Sequence, residues 1–206
     1  MADKGLIVSV SGPSGVGKGT VLKRVSEMIE QKWPGRASYS ISATTRNPRP
    51  GEADGVEYHF RTKEEFEKMI ETGEILEYDQ YVGNYYGTPA APLAEKVGQG
   101  KIILCDITIE GSLAIEKKFG DDSVIIMLLP PSYAELEARL KGRGTEDDAK
   151  VSARLAKARE EIARAGEFEY AVQNNEVEQA AADIMKIIES EMLKTARQIQ
   201  TIKNLE

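Results

Sequence analysis

A glycine-rich stretch with one lysine is the part of this chain whose residue types and spacing best suit chemistry. Glycines let backbone N–H groups crowd around an anion, and a helix that follows them adds the partial positive charge of its N-terminus. Lys18 can reach the β- and γ-phosphates of a nucleoside triphosphate. The spacing Gly12-x4-Gly17-Lys18 therefore predicts a phosphate-binding loop, hereafter the phosphate loop. We expect it to hold a triphosphate through Gly12, Pro13, Ser14, Gly15, Val16, Gly17, Lys18, Gly19 and Thr20.

A second polar stretch lies at residues 43–52, where prolines interrupt the chain around two arginines. Arg46 and Arg49 suit a dianionic phosphate, because guanidinium groups bind it through charge-assisted, bidentate hydrogen bonds. Tyr58 and Tyr86 could each donate an O–H group to the same phosphate. The alternative for the arginines is a solvated basic loop, and for isolated tyrosines it is half-buried packing.

Composition restricts the classes of function that are open to the chain. Its 206 residues suffice for one α/β domain, and 27 basic against 34 acidic residues leave a net charge of -7. That balance argues against broad binding of nucleic acid or acidic membranes, so a local basic cluster must hold any anionic substrate. One cysteine, Cys105, and one histidine, His59, exclude an internal disulfide and disfavour a protein-built zinc site. We expect a cytoplasmic protein, since neither a signal-peptide profile nor a membrane-length apolar run is found.

The elements that must position these residues follow from hydrophobic patterning. Leu6–Val10 is apolar and β-branched, as a buried parallel strand should be. Further strands are predicted at Ser38–Ser42, Lys101–Thr108 and Ser123–Leu129, with helices between them. Four strands with helical crossovers predict a doubly wound parallel α/β sheet, whose ligands lie at the carboxyl ends of the strands.

The other segments break this regular pattern. Residues 42–89 mix short strands, a helix and tyrosine-rich stretches, which is typical of an insertion into a parallel core. Charged helices are predicted on both sides of Arg143, and a long helix is predicted from Glu176 nearly to the end. Within the core, Asp106 ends an apolar strand, so it is predicted at the same sheet edge as the phosphate loop.

Several of these segments together resemble one family. They are the phosphate loop in its Gly-Lys-Gly-Thr variant, residues 42–60 with Ser-Ala-Thr-Thr-Arg-x-Pro-Arg-x-Gly-Glu, Gly83–Thr88, Arg143-Gly144-Thr145 followed by Arg154, and Phe168–Asn174. Their content and order resemble the guanylate kinase family of the bacterial type, among the nucleoside monophosphate kinases. The resemblance runs along almost the whole chain, and its second segment is far more specific than the phosphate loop.

The resemblance implies a fold and an activity. The fold is a P-loop NTPase-type parallel sheet flanked by helices, with an inserted mixed α/β monophosphate-binding subdomain and a helical lid. The core would comprise residues 1–41, 90–130 and 167–206, the GMP-binding subdomain residues 42–89, and the lid residues 131–166. The activity is ATP-dependent phosphorylation of GMP to GDP, with Mg²⁺ as cofactor and ADP as the other product.

The resemblance also implies roles for individual residues. Glu77 would select guanine, because a carboxylate accepts from both N1–H and the 2-amino group, whereas adenine would face it with an acceptor. Asp106 would orient Mg²⁺ through water, and Asn174 would hydrogen-bond the adenine. The catalytic cations would be Lys18, Arg46, Arg143 and Arg154. The GMP-binding residues would be Ser42, Arg46, Arg49, Tyr58, Glu77, Tyr86, Thr88 and Thr108.

Two positions depart from these patterns, and two other interpretations stay open. Gly19 replaces the Ser or Thr that follows a P-loop lysine, and Thr108 replaces a second acidic residue with which the family holds guanine. Thr108 lacks that charge, so we expect altered affinity or purine selectivity. The alternatives are a kinase for AMP, UMP or dTMP, and a catalytically silent guanylate-kinase-like module that binds phosphorylated proteins. Retention of Lys18 and both lid arginines speaks against the silent module.

Overall fold

A parallel sheet, hereafter the large sheet, forms the centre of the computed structural model, which describes residues 4–141 and 148–203. Its strands are Leu6–Ser11 (β1), Ala37–Tyr39 (β2), Ile102–Asp106 (β7), Ser123–Leu129 (β8) and Tyr170–Gln173 (β9). They follow the order β2-β7-β1-β8-β9, and every pairing is parallel. The central strand β1 is buried along its whole length, as its continuous apolar run predicts.

A second sheet, hereafter the small sheet, lies within residues 43–89. Its strands are Ala43–Thr44 (β3), His59–Phe60 (β4), Ile75–Tyr81 (β5) and Asn84–Pro89 (β6). They follow the order β4-β3-β6-β5, with β5 and β6 paired as an antiparallel hairpin. Both turn residues of the hairpin, Val82 and Gly83, have positive φ angles, which matches the twist of a tight hairpin.

The α-helices of the described ranges are Lys18–Lys32 (α1), Lys63–Glu71 (α2), Ala90–Gly98 (α3), Ile109–Phe119 (α4), Tyr133–Lys141 (α5), Asp148–Ala163 (α6), Val177–Met192 (α7) and Ile199–Lys203 (α8). Four of them cover the two faces of the large sheet. Helices α1 and α7 pack with Val8 and Val10 on one face, and α3 and α4 pack with Ile7 and Cys105 on the other. Burial raises the pKa of the Cys105 thiol to about 12, and the cysteine is the core residue that the sequence suggests. None of the helices in the described ranges is both long and apolar enough to cross a membrane.

Three sequence predictions of local structure need correction. The predicted strand Ser38–Ser42 is divided, because the chain leaves the large sheet after Tyr39 and joins the small sheet at Ala43. Helix α3, at Ala90–Gly98, is present in the structure but was not predicted from the sequence. The long helix predicted from Glu176 is also wrong, since α7 ends at Met192 and a short turn precedes α8.

The break after α7 lets Arg197 become buried, with only 2 % of its surface exposed. Its guanidinium donates to the backbone carbonyls of Gly5, Asp121 and Glu191, which belong to three separate parts of the chain. The carboxylate of Glu191, itself 1 % exposed, lies 3.6 Å from Arg197 Nη2. A continuous helix could not deliver these contacts, so the C-terminal segment is held by a buried cation.

Replacement of this cation should destabilise the fold. We expect Arg197→Ala to lower the free energy of unfolding by about 3 kcal/mol, because buried carbonyls lose their donors and Glu191 loses a charge partner. Urea denaturation measures the change. The control is Lys186→Ala, which removes an exposed ion pair with Asp183 and should change stability by less than about 0.5 kcal/mol. Equal unfolding midpoints for the two variants would contradict a stabilising role for the buried contacts of Arg197.

Candidate active site

The phosphate loop connects β1 to α1 and contains three glycines with positive φ, of which Gly12 and Gly17 stand at its two ends. Gly17, at φ 101°, occupies the N-cap position of α1, so Lys18 begins the helix. Gly12, at φ 152°, lies so close to β8 that a Cβ atom would come within 2.3 Å of the Leu128 carbonyl oxygen. Only glycine fits both positions without strain. Gly19 lies in the first turn of α1 with open space around it.

Lys18 folds back over the loop that precedes it. Its Nζ donates to the Gly12 carbonyl at 2.8 Å and lies 3.8 Å from Asp106 Oδ1. The two residues meet because β1 and β7 are neighbours and Val10 pairs with Asp106 in the register. Burial raises the pKa of the Asp106 carboxyl, and the nearby Lys18 charge opposes that rise. A cation and a carboxylate therefore lie together at the edge of the large sheet.

Glu77 is held at both carboxylate oxygens by threonine hydroxyls. Thr88, on β6, donates to Oε1 at 2.9 Å, and Thr108 donates to Oε2 at 3.2 Å. Thr108 also caps α4, where its hydroxyl accepts from the Gly111 N–H at 3.1 Å. Burial raises the pKa of Glu77, while the two hydroxyl donors work in the opposite direction. The carboxylate is thus fixed in position between the two sheets.

Arg46 lies in a cluster at the other end of the small sheet. Its Nη2 donates to Glu52 Oε1 at 2.9 Å, and its guanidinium lies 5.4 Å from the centre of the Tyr58 ring. Tyr58 in turn contacts Tyr86 edge to face, with ring centres 5.9 Å apart. Glu52 also accepts from the Arg49 backbone N–H, so one carboxylate shapes the whole segment. The Arg49 residue itself is exposed.

One cavity of about 330 Å³, hereafter the shared cavity, brings together predicted site residues from both sheets. From the large-sheet side it is lined by Gly12, Ser14, Lys18, Asp106 and Thr108. From the small-sheet side it is lined by Ser42, Glu77, Tyr86 and Thr88. Arg46, Arg49 and Tyr58 do not line it, although Tyr86 connects the cavity to the Arg46 cluster.

A second cavity, of about 380 Å³, lies on the other side of the phosphate loop. It is lined by Gly15, Gly17, Thr20, Arg139 and Asn174, among others. Asn174 is 3 % exposed, and its Nδ2 donates to the Val16 carbonyl at 2.7 Å. The amide therefore supports the phosphate loop directly, which its sequence context did not suggest.

Helix α6 contacts the phosphate loop through a side chain. Arg154 Nη2 donates to Ser14 Oγ at 2.6 Å, and Glu161 lines the shared cavity. The C-terminal end of α6 is tied to α4, because Arg164 Nη1 lies 2.5 Å from Glu110 Oε1. Arg143, the other predicted lid cation, lies outside the described residues.

Sequence reasoning missed four residues of this region. Glu52 fixes Arg46, Arg139 lines the second cavity, and Asp79 and Glu161 line the shared cavity. The two-residue spacing of Asp79 from Glu77 on a strand gave a signal, since it places both on one face. Glu52 ends the quoted motif of residues 42–52 without a role attached to it, and no local pattern distinguishes Arg139 or Glu161 from surface residues.

The fold and the two cavities define a P-loop nucleotide-binding protein, with the phosphate loop lining both cavities. Residues 4–191 match the guanylate kinase family. A guanylate kinase of Streptococcus thermophilus (strain CNRZ 1066) is 44 % identical over 205 residues, covering 100 % of this chain and 96 % of that protein. One of Streptococcus pyogenes serotype M3 is 46 % identical over 199 residues, covering 97 % and 92 %. The crystal structure of guanylate kinase from Anaplasma phagocytophilum covers 98 % of this chain and 94 % of that one, with a TM-score of 0.70 and 30 % identity.

These matches span the chain from end to end. The chain belongs to the guanylate kinase family. The family and the P-loop fold that the sequence suggests are thereby confirmed.

The hydrogen bond from Asn174 to the phosphate loop generates a prediction. We expect Asn174→Asp to lower the free energy of unfolding by about 2 kcal/mol at neutral pH, because a carboxylate would face the buried Val16 carbonyl. The loss should shrink as the pH falls, since a protonated carboxyl at position 174 can donate again. Thermal unfolding between pH 5 and 8 measures it.

The neighbouring Asn175→Asp is the matched control, because Asn175 is exposed and contacts only the Gln173 side chain among the hydrogen bonds described. Its stability should follow the parent at every pH. A pH-independent effect at position 174 would contradict the proposed contact.

Proposed function

We propose that this chain transfers the γ-phosphoryl group of ATP to GMP, giving ADP and GDP. Membership of the guanylate kinase family supports the reaction. The observation that carries it is the shared cavity, in which Lys18 of the phosphate loop and Glu77 of the small sheet line one space. A triphosphate on the loop and a base at Glu77 would bring donor and acceptor phosphates together between them.

The guanine subsite is built around the fixed carboxylate of Glu77. Guanine presents adjacent donors, N1–H and the 2-amino group, which one carboxylate can accept together. Adenine presents an acceptor at N1, which would face the Glu77 carboxylate without a hydrogen bond, and such unpaired contacts are how polar sites reject analogues. Thr88 contributes through its bond to Glu77, and Ser42 lines the same cavity.

The acceptor phosphate is assigned to the Arg46 cluster. Arg46, Arg49, Tyr58 and Tyr86 supply donors, and Arg46 would exchange its contact with Glu52 for the phosphate dianion. On the donor side, the second cavity next to Thr20 and Asn174 would receive adenosine. The side-chain oxygen of Asn174, Oδ1, is the atom that we assign as a hydrogen-bond acceptor for adenine, because Nδ2 already donates to the Val16 carbonyl.

The donor set at the phosphate loop fits Mg²⁺ bound through water. Asp106 offers a hard carboxylate oxygen to the cavity beside Lys18, whereas Gly19 offers no hydroxyl. When bound there with ATP, Mg²⁺ would neutralise charge on the phosphates. The neighbouring Lys18 would do so from the other side of the loop.

Catalysis needs positioning and charge neutralisation, because the acceptor phosphate is already mostly ionised and requires no general base. Lys18, Arg154 and Arg143 are the cations assigned to the transferring group, with Arg46 on the acceptor side. We assign residues 42–89 to GMP binding, residues 131–166 to the lid, and the other residues to the core. We place the reaction in the cytoplasm, because the free thiol of Cys105 suits a reducing compartment.

The reaction is tested by ADP release over a panel of GMP, AMP, UMP and dTMP. We expect GMP to give by far the highest rate. Lys18→Ala should lose at least about 100-fold of that rate, because the cation at the phosphates is removed. Lys23→Ala, an exposed lysine on the same helix, should match the parent.

Turnover of UMP without GMP would favour a kinase for another monophosphate. Absence of turnover with every acceptor would favour the silent module instead. A Lys18→Ala variant as active as the parent would remove Lys18 from the mechanism.

Crowding of the guanine subsite gives a second test. A Cβ atom on Gly111 would lie 2.6 Å from Glu77 Cγ and 2.3 Å from Ile107 Cγ1. We expect Gly111→Ala to displace Glu77 and raise the KM for GMP about tenfold or more, with the KM for ATP unchanged. Steady-state kinetics with each nucleotide varied in turn measures both values.

The matched control is Gly98→Ala, at a helical glycine with open space around it. Its kinetics should equal those of the parent. An equal rise in both KM values for Gly111→Ala would point to a general disturbance rather than displacement of Glu77.

A further inference from the structure

Asp79 shares a strand face and a cavity with Glu77. The two residues are two apart on β5, a separation of roughly 7 Å along a strand whose side chains alternate between faces. On the adjacent strand, Tyr86 pairs with Asp79, and Thr88 hydrogen-bonds Glu77. Asp79 lines the shared cavity with all three of these residues.

The negative charge of Asp79 has no cationic partner among residues 4–141 and 148–203. Its Oδ1 accepts from the Gln80 backbone N–H at 2.7 Å, and none of the ion pairs in the described ranges includes it. Burial is the main cause of the raised Glu77 pKa, and the charge of Asp79, an exposed residue at the same cavity, adds to it, so the two carboxylates repel each other. A ligand that presents N–H donors to both would relieve that repulsion.

Guanine has three N–H hydrogens on this edge, one on N1 and two on the 2-amino group, and the Glu77 carboxylate can face only two of them. If Glu77 accepts from N1–H and from one hydrogen of the 2-amino group, the second amino hydrogen still needs an acceptor. The Thr108 hydroxyl donates its only hydrogen to Glu77 and uses one of its two lone pairs for the Gly111 N–H, so it has a single neutral acceptor site left, which is weaker than a carboxylate oxygen. Acceptors on two sides of an amino nitrogen lie about 5 Å apart at ordinary hydrogen-bond lengths, which two carboxylates at this strand spacing can span.

We propose that Asp79 is a specificity-determining residue, whose carboxylate accepts from the 2-amino group of the bound purine. It would supply the acidic group that Thr108 lacks, but from β5 rather than from the start of α4. The inference rests on the proposed function and names the part of the nucleotide that Asp79 reads.

The test compares GMP with IMP, which lacks only the 2-amino group, and with dGMP, which lacks only the ribose 2′-hydroxyl. We expect Asp79→Ala to lower kcat/KM for GMP and dGMP about tenfold, mainly through KM. The value for IMP should stay within about twofold of the parent, because its base offers nothing for Asp79 to accept. The preference for GMP over IMP should therefore fall about tenfold.

A compensating variant makes the test independent of general damage. We expect Asp79→Ala combined with Thr108→Asp to regain most of the preference for GMP over IMP, since an acid returns to the other side of the base. Asp79→Asn should retain part of the preference, because its amide oxygen still accepts. Thermal unfolding of each variant checks that it is folded.

Three outcomes would overturn the inference. An unchanged GMP-to-IMP ratio in Asp79→Ala would exclude contact with the amino group. A changed GMP-to-dGMP ratio would assign Asp79 to the ribose instead, and an equal loss with all three nucleotides would assign it to the lid or the phosphates. Each outcome leaves GMP phosphorylation by the parent intact, whereas an inactive parent would refute the proposed function itself.

Discussion

The parallel pairing of β1 with β7 is the constraint on which the whole site depends. Its register sets Val10 beside Asp106, so the phosphate loop and the start of α4 leave the large sheet at one edge. Both strands are buried on two faces, and a slip by one residue would turn their side chains to the opposite layers of the core. Core packing therefore fixes where Lys18 lies relative to Thr108, and buried hydrogen bonds of Ser11 at the end of β1 with Ile107 and Ser112 add to it.

Thr108 carries that constraint into the small sheet through one hydroxyl group. It accepts from Gly111 at the start of α4 and donates to Glu77, which Thr88 holds from the other side. An aspartate at position 108 could cap the helix equally well. It could not donate to an ionised Glu77, and it would add a second charge beside it. The threonine thus fixes the orientation of Glu77 and adds no second negative charge beside it. Under the proposed function, a further acceptor for the 2-amino group of guanine must then come from another residue.

Local signals in the sequence predict the parts of this protein that local physics determines. The phosphate loop depends on glycines before a helix, and Ser123–Leu129 depends on a continuous apolar run, so the strand was predicted to the residue. The end of α7 depends on Arg197 reaching Gly5, which is 192 residues away in the sequence. No window of helical periodicity contains that contact, and the predicted helix therefore ran too far.

The same limit applies to the candidate site. The family resemblance identified Glu77 and Arg46 by motif, but their partners are properties of the folded chain. Glu52 belongs to the same motif, six residues after Arg46, but the motif does not show that the loop brings the two side chains to 2.9 Å. Strand alternation could place Asp79 on the face of Glu77, yet it could not show that the shared cavity lies on that face. The sequence thus marks the candidate groups by motif, whereas the residues that hold them become visible only in the folded chain.

Three described cations of the site are already bound to oxygens of the protein, and this sets what a nucleotide can gain. Lys18 contacts a carbonyl, Arg154 a hydroxyl and Arg46 a carboxylate. A phosphate must replace these oxygens, so the net gain is the difference between two sets of hydrogen bonds. Carbonyl and hydroxyl oxygens are weaker partners than a phosphate dianion, whereas the carboxylate of Glu52 is a close competitor. Under the proposed function, Arg46 exchanges only for a dianion that the neighbouring tyrosines also bind, and a nucleoside without its phosphate leaves the ion pair closed.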